Sequence, residues 1–326
     1  MNTTAFLTRR HALIATCAAL SPALGRSQAV LPDMLRMIMP FPPGNALDAS
    51  ARWFAEAYRT VTGRNAIVEN KPGAAATIAS AEVSRSKPDG SVVLFTTAGH
   101  LTTAVLVKKI PYDPIDGFTP VTPVAVGEGF IMVTRAGSRF NSVQDVLEAA
   151  KKAPGKISYA SAGNGNSTHV VGALFAKSAG VDLLHVPYRG DFMTDLLSGV
   201  VDMMFVGTAV VKPFVDSNKL KALGITGDKR AASFPQVPTF AEVGVKDVDL
   251  PSYVTILAPP NMPPTVLSAL HDGFARTLRE PGLAAKFKSN GMEPWILPPD
   301  QFKTHMRGEL AHLQRVLPPL GIQMDI

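Results

Sequence analysis

Three short stretches of this 326-residue chain set glycine beside hydroxyl, amide or imidazole side chains directly after an apolar run. They are Phe41-Pro42-Pro43-Gly44-Asn45, Thr96-Thr97-Ala98-Gly99-His100, and Ser161-Ala162-Gly163-Asn164-Gly165-Asn166-Ser167-Thr168-His169. Glycine lets a ligand come close to the backbone. Asn45, and either Asn166 or Ser167, are the residue types that cap a helix start, so helices begin at the first and third stretches. A helix start carries unpaired N–H groups and a partial positive charge, which suits an anion. The dipole contributes on the order of 0.3–1 kcal/mol and each charge-assisted hydrogen bond ~1.5–3 kcal/mol. Several such contacts converging on one carboxylate would hold a small acid.

Individual residues admit two readings. Asp48, three residues after Asn45, either complements its own helix start or faces a ligand ammonium and so discriminates amino acids from diacids. His100 and His169 either donate to a carboxylate or pack. Arg189, in Tyr188-Arg189-Gly190, either clamps a carboxylate or lies exposed. Gly163-Asn164-Gly165 is a grip or a plain loop, and it fails as a dinucleotide fingerprint because Thr168 stands where the third glycine belongs. The chain has no G-x-S-x-G elbow, no H-E-x-x-H and no P-loop. Its seven histidines are scattered without metal-ligand spacing, so neither a metal nor a cofactor is expected. Ser161, His169 and Asp48 assemble on paper into a hydrolase set that nothing in their spacing demands.

The elements that must position these stretches alternate. Leu35–Met39 reads as strand, Ala46–Thr60 as helix, Ala66–Glu69 as strand, Ala75–Ser86 as helix and Val92–Thr96 as strand. Val124–Val133 then reads as one strand, followed by Val143–Lys152 helix, Ile157–Tyr159 strand and Ser167–Ala179 helix. His185–Pro187 and Met203–Phe205 are short strands around a helix at Met193–Ser198. Val254–Ala258 is a late strand, and helices at Pro264–Leu278, Pro281–Asn290 and Pro299–Leu317 close the chain. Such alternation predicts an α/β fold with doubly wound sheets, where ligands sit beyond the carboxyl ends of strands. Two tandem units with a helical return predict two lobes and a cleft, with crossings near 123–127 and 248–253. The lobes are read as 30–125 with 251–326, and 126–250.

Residues 1–29 are set apart as an export signal. Arg9 and Arg10 precede an apolar run, Ala12–Leu24, and Ser27-Gln28-Ala29 ends in small residues. Thr8-Arg9-Arg10 also resembles a twin-arginine signal. Removal of this leader takes Arg9, Arg10 and Arg26 with no acid, so the net charge falls from +6 to +3. That is too weak to imply nucleic acid, since no basic run with interleaved aromatics remains. The single cysteine, Cys17, leaves with the leader, which closes thiol and disulfide chemistry to the mature chain.

Taken in order, FPPGNALDASAR, VENKPGAAATIASAEVSRSKPDG, YDPIDGFTPV, SYASAGNGNSTHVVGALF, HVPYRG, VDMMF and KALGITGDKRAASFPQVPTFAEVG resemble the receptors of tripartite tricarboxylate transporters, the Bug or TctC-type family. The resemblance runs from about Met34 to the C-terminus. It implies a type II periplasmic-binding-protein fold whose two lobes close on a carboxylate held mainly by backbone N–H groups and water. It further implies a monomeric periplasmic protein serving membrane permease subunits; a sensor reporting to a membrane kinase and an exported hydrolase are the alternatives. By position Phe41, Gly44, Asn45 and Asp48 match the first binding loop, and Thr97 and Gly99 the second. Ser161, Gly163, Asn164, Ser167, Thr168 and His169 match the third, with Tyr188 and Thr208 added at later strand ends. The chain departs from the family where Asn45 replaces a second glycine, where Val206-Gly207-Thr208 follows Met203-Met204-Phe205, and where only Tyr253 remains of an aromatic pair. The helix after Tyr188-Arg189-Gly190 also starts early. Each departure touches the cleft.

Overall fold

Met37 and Met39 face one side of a strand and Ile38 the other, and all three are fully buried. A strand apolar on both faces belongs inside a sheet covered on both sides. The computed structural model describes residues 31–188 and 191–324 and bears this out. The export signal, Cys17 and Arg189 lie outside the described residues. Strands β1 (Met34–Met39), β2 (Asn65–Asn70) and β3 (Val92–Thr97) pair in parallel. Beyond β3 the same sheet continues antiparallel through β10 (Tyr253–Ala258), β4 (Thr119–Gly127) and β11 (Met292–Pro294), giving the order β11-β4-β10-β3-β1-β2.

The second sheet has the order β7-β6-β8-β5-β9. Its strands are β5 (Phe130–Arg135), β6 (Ser158–Ser161), β7 (Leu184–Pro187), β8 (Met203–Gly207) and β9 (Leu220–Ile225). Strands β6, β7 and β8 are parallel, whereas β5 runs antiparallel between β8 and β9. The structure therefore has two mixed α/β sheets, each with a parallel half. Three core clusters match this layering. One covers the outer face of the first sheet, where Phe54 and Tyr58 pack against Phe95 and Phe274. Another covers the outer face of the second, around Ile131, Met204 and Phe234. The third runs continuously from Leu94 and Leu101 through Phe302 and Leu313 to Phe175 and Phe205, joining both sheets.

The first sheet carries α1 (Ala46–Thr62), α2 (Thr77–Ser84) and α3 (Gly99–Leu106), while α4 (Val143–Lys152), α5 (Ser167–Ala179), α6 (Met193–Ser198) and α7 (Thr208–Asp216) belong to the second. The chain then returns through α8 (Pro264–Leu278), α9 (Pro281–Ser289) and α10 (Pro299–Val316), with α10 packed on β4 and α3. Among the described residues no helix is long and apolar enough to cross a membrane.

Three local expectations are corrected. Val124–Val133 is not one strand: it breaks at Glu128-Gly129, and its halves enter different sheets. Gly129 sits at φ +108°, a conformation open to glycine, and the Glu128 carboxylate accepts the Ser233 N–H, so the break is held from the side. Gly99-His100 is not loop but the first turn of α3. The helix expected from Ala75 begins only at Thr77, after Ala74, Ala75 and Ala76 turn through positive φ.

Candidate ligand-binding cleft

The chain passes from the first sheet to the second between Gly127 and Phe130, and returns between Ile225 and Tyr253. At these crossings lies a cavity of about 150 Å³ lined by Thr97, Ala98, Gly99, Gly127, Phe130, Ser167, Pro251, Ser252, Tyr253, Val254 and Met292. It joins the carboxyl end of β3 to the start of α5, which are the second and third sequence stretches. No Lys, Arg, Asp or Glu lines it. Pockets for drug-sized molecules begin at roughly 300 Å³, so the occupant this cavity fits is small.

The third stretch is shaped by its own side chains. Asn166 caps α5, its Oδ1 accepting the Thr168 N–H at 3.1 Å, so Asn166 rather than Ser167 takes the cap role. Thr168 Oγ1 accepts the Ala162 N–H at 2.9 Å and donates to Asn166 Oδ1 at 3.1 Å. Gly163, at φ +111°, donates its N–H to Ser161 Oγ and accepts the Asn166 N–H. Ser161 is fully buried, and its Oγ also lies 2.6 Å from His185 Nε2. None of the bonds that close this loop uses the backbone N–H of Asn164 or Ser167, or the Ser167 hydroxyl. Asn164 is exposed and Ser167 half-buried. Of these, Ser167 opens α5 and lines the cavity, while Asn164 lies in the loop three residues before the helix.

In the second stretch, Thr97 Oγ1 accepts the Gly99 N–H at 3.2 Å, which leaves its hydroxyl proton available. Ala98 donates to the Tyr253 carbonyl, fixing the stretch to the returning strand. His100 points inward. It is stacked on Tyr112, edge-on to Phe118, and bonded through Nε2 to the Pro114 carbonyl at 3.0 Å. Burial lowers its pKa to about 4, against the opposing pull of that carbonyl. It packs as a neutral ring.

The first stretch is not part of the cavity lining, and its polar groups are engaged within it. Asn45 Oδ1 accepts the Leu47 and Asp48 N–H groups, and Asn45 Nδ2 donates to the Pro42 carbonyl. Asp48 is 4% exposed and accepts from Gly44 N, Asn70 Nδ2 and Arg52. Asn70 donates as well to the Phe41 carbonyl, tying Phe41 to the end of β2. The Arg52 hydrogen bond is the main cause that takes the Asp48 carboxyl down to about 2, with burial opposing it. Asp48 thus complements its own helix start.

Two further expected residues flank the site. Tyr188 donates its N–H to the Ser161 carbonyl and its hydroxyl to Asp195 Oδ2 at 2.7 Å; burial first, then Asp195, raises its pKa to about 12. Thr208 is buried at the start of α7, where a Cβ added to Gly291 would lie 3.0 Å from its Oγ1. The hydrolase set read on paper is not assembled. Ser161 meets His185 instead of His169, His169 Nδ1 accepts the Gly165 N–H, and Asp48 is held in the first stretch. Among the described residues no group of three His, Cys, Asp or Glu could hold a metal ion.

Sequence reasoning missed His185. Its ring stacks on His169 with centroids 3.7 Å apart and an interplanar angle of 0°. Burial takes His169 down to about 4, with His185 adding to the effect, and burial lowers His185 as well. Both rings favour the neutral form in the fold, so the unfolded chain binds protons first as pH falls. The stability this pair contributes is complete above about pH 6.5 and is lost as pH falls towards about 4. Urea midpoints for wild type and His185→Gln should therefore diverge within that window and run parallel above it. Parallel curves throughout would show that the stack carries no such linkage.

Met324 was also missed. Its N–H donates to the Leu106 carbonyl at 2.9 Å, and its side chain covers Gly165 so closely that a Cβ there would lie 2.1 Å from the sulfur. Gly165 is buried at φ +73°, and an L side chain in that region costs roughly 1–2 kcal/mol before any clash. Gly165→Val should lower the thermal midpoint and displace the C-terminal segment. Deleting residues 323–326 should recover the clash part of the loss in a double-mutant cycle. Equal penalties in both backgrounds would place Met324 elsewhere.

Residues 50–322 match the sequence pattern of the tripartite tricarboxylate transporter family receptor, TctC. A relative from Pseudomonas sp. strain P51, the UPF0065 protein in the tcbD-tcbE intergenic region, is 30% identical over 315 residues, covering 95% of this chain and 94% of its own. Among solved structures, the periplasmic binding protein BugD superposes with a TM-score of 0.77 at 30% identity, over 90% of this chain and 99% of that chain. The R. palustris protein Rpa4515, solved with adipate, gives 0.78 at 27% identity, over 89% and 98%. The two sheets and their crossings are thus similar to the two-lobed architecture of periplasmic binding proteins.

Proposed function

The chain belongs to the tripartite tricarboxylate transporter receptor family, whose members are solute receptors and not enzymes, and we propose that it binds a small carboxylate in the cleft between its sheets and delivers it to the membrane subunits of such a transporter. The observation that carries this reading is the uncharged cavity joining Thr97 and Gly99 to Ser167, whose N–H and hydroxyl are uncommitted at the start of α5, with the Asn164 N–H uncommitted in the loop leading to it. A carboxylate set there accepts main-chain and hydroxyl hydrogen bonds, and the α5 dipole favours its charge. The similar protein solved with adipate supports an aliphatic dicarboxylate as the first ligand class to try. The change of sheet supports lobes at 31–127 with 251–324, and at 128–250. Closing them over the ligand would exclude water and strengthen each contact. The proposed location is the periplasm, reached through the leader at residues 1–29, and the proposed working form is a monomer.

A thermal-shift screen of dicarboxylates, tricarboxylates, aromatic acids and amino acids tests the reading. A ligand at ~100 times its dissociation constant should stabilise the fold by about 2.7 kcal/mol. Dicarboxylates are expected to raise the midpoint, and the effect should fade as pH drops through the ligand carboxyl pKa near ~4. A screen in which none of these carboxylates raises the midpoint, or in which matched uncharged amides raise it as much as the acids, would contradict the proposal.

A further inference from the structure

A larger cavity, about 570 Å³, shares Gly127, Pro251, Ser252 and Tyr253 with the first and extends to α10 and the turn after β9. Its chemistry is different. Glu309 lines it and is 8% exposed; Oε2 accepts the Tyr253 hydroxyl at 2.8 Å and lies 3.5 Å from Nε2 of the half-exposed His305, while Oε1 has no hydrogen-bond partner. An ionised carboxylate offers about four acceptor positions, and a buried one short of partners is costly unless a donor or a cation reaches it. Trp295 stands edge-on to Tyr253 at 5.4 Å, with His305 at 5.1 Å from Trp295, so aromatic rings flank the acid. Aromatic faces attract cations. Asp249 lines the cavity too, and its carboxyl is pushed above its ordinary range by burial and then by Asp228. One ammonium-bearing side chain, the exposed Lys229, also lines it.

The helix leaves room for an occupant. Gly308 sits inside α10, where glycine is a poor helix former, and a Cβ at that position would meet nothing within 4 Å. From the buried acid, its aromatic neighbours and the open wall, we propose that this cavity is a second binding site, taking a small organic cation: a primary ammonium group on an apolar body, with Glu309 as its charge partner. The site stands independently of the carboxylate reading, because none of its charge-bearing residues lines the smaller cavity.

Titration calorimetry of the full mature chain with benzylammonium chloride tests the site, with benzyl alcohol as the uncharged control. Saturable one-to-one binding of the ammonium is expected, with the alcohol at least tenfold weaker. Glu309→Gln should weaken the ammonium at least tenfold. Gly308→Phe adds a ring at the cavity wall, where a Cβ would meet nothing within 4 Å, and should abolish binding in a variant whose circular dichroism matches wild type. Should Glu309→Gln fail to fold, binding to Gly308→Phe decides. No binding to wild type, equal binding of the alcohol, or undiminished binding to a folded Gly308→Phe overturns the proposal.

Discussion

Ser167→Asp should abolish carboxylate binding while leaving the fold as stable as wild type or slightly more so. Ser167 is the first residue of α5, is half-buried, and its side chain makes none of the bonds that shape the loop. The substitution therefore removes nothing structural. An acid in the first helical turn gains roughly 0.3–1 kcal/mol from the dipole. The same charge would face a ligand carboxylate in the cavity that Ser167 lines. Two like charges ~4 Å apart repel by about 4 kcal/mol at the dielectric of a protein surface, which is roughly a thousandfold in affinity. Calorimetry with an acid that binds wild type, alongside thermal unfolding, separates the two effects. Undiminished binding in the Asp variant would mean that the acid group does not sit at this helix start.

Asp48→Asn should act the opposite way, on the fold. Asp48 gathers Gly44, Asn70 and Arg52, and through Asn70 it fixes the carbonyl of Phe41. Replacing the carboxylate turns one amide face towards groups that want an acceptor. A loss of about 2 kcal/mol is expected, the middle of the range for a buried acceptor removed; the Arg52 share is discounted because that side chain is 52% exposed. The carboxyl is held down at about 2, so its contribution is complete above about pH 3.8 and is lost as pH falls through 2. Denaturant unfolding of both proteins should thus show a penalty at pH 7 that shrinks from pH 3.8 downwards. A pH-independent penalty would mean that the charge plays no part. Because Asp48 is engaged by Arg52, an amino acid and its deaminated acid should keep their affinity ratio in the variant.

Much of the fold was legible because its signals are local. Asn45, and the pair Asn166 or Ser167, announced two helix starts by residue type, and Gly63 and Gly180 close those helices in left-handed caps. Strand β3 showed as a continuous apolar run because both its faces are buried. The parts that were hidden depend on partners distant in sequence. Strand β4 contains Pro120 and Pro123, which argue against an interior strand; both pair near register shifts against β10, where a missing N–H is tolerated. Helix α3 opens with glycine and no side-chain cap, so its start at Gly99 had no sequence signature. Within the site, the three glycine-bearing stretches were visible, yet their division of labour was not. Residue type alone could not show that Ser161 Oγ is taken by His185, 24 positions on, or that Met324 covers Gly165. Those contacts exist only once the second sheet and the C-terminal segment are in place.

The most direct measurement is a crystal structure with the dicarboxylate that gives the largest thermal shift. The expected result is a carboxylate between Thr97 and Ser167, its oxygens within hydrogen-bond distance of the Asn164 and Ser167 N–H groups and no Lys or Arg paired with it. A carboxylate clamped by a basic side chain, or lodged away from the start of α5, would contradict recognition by main-chain donors.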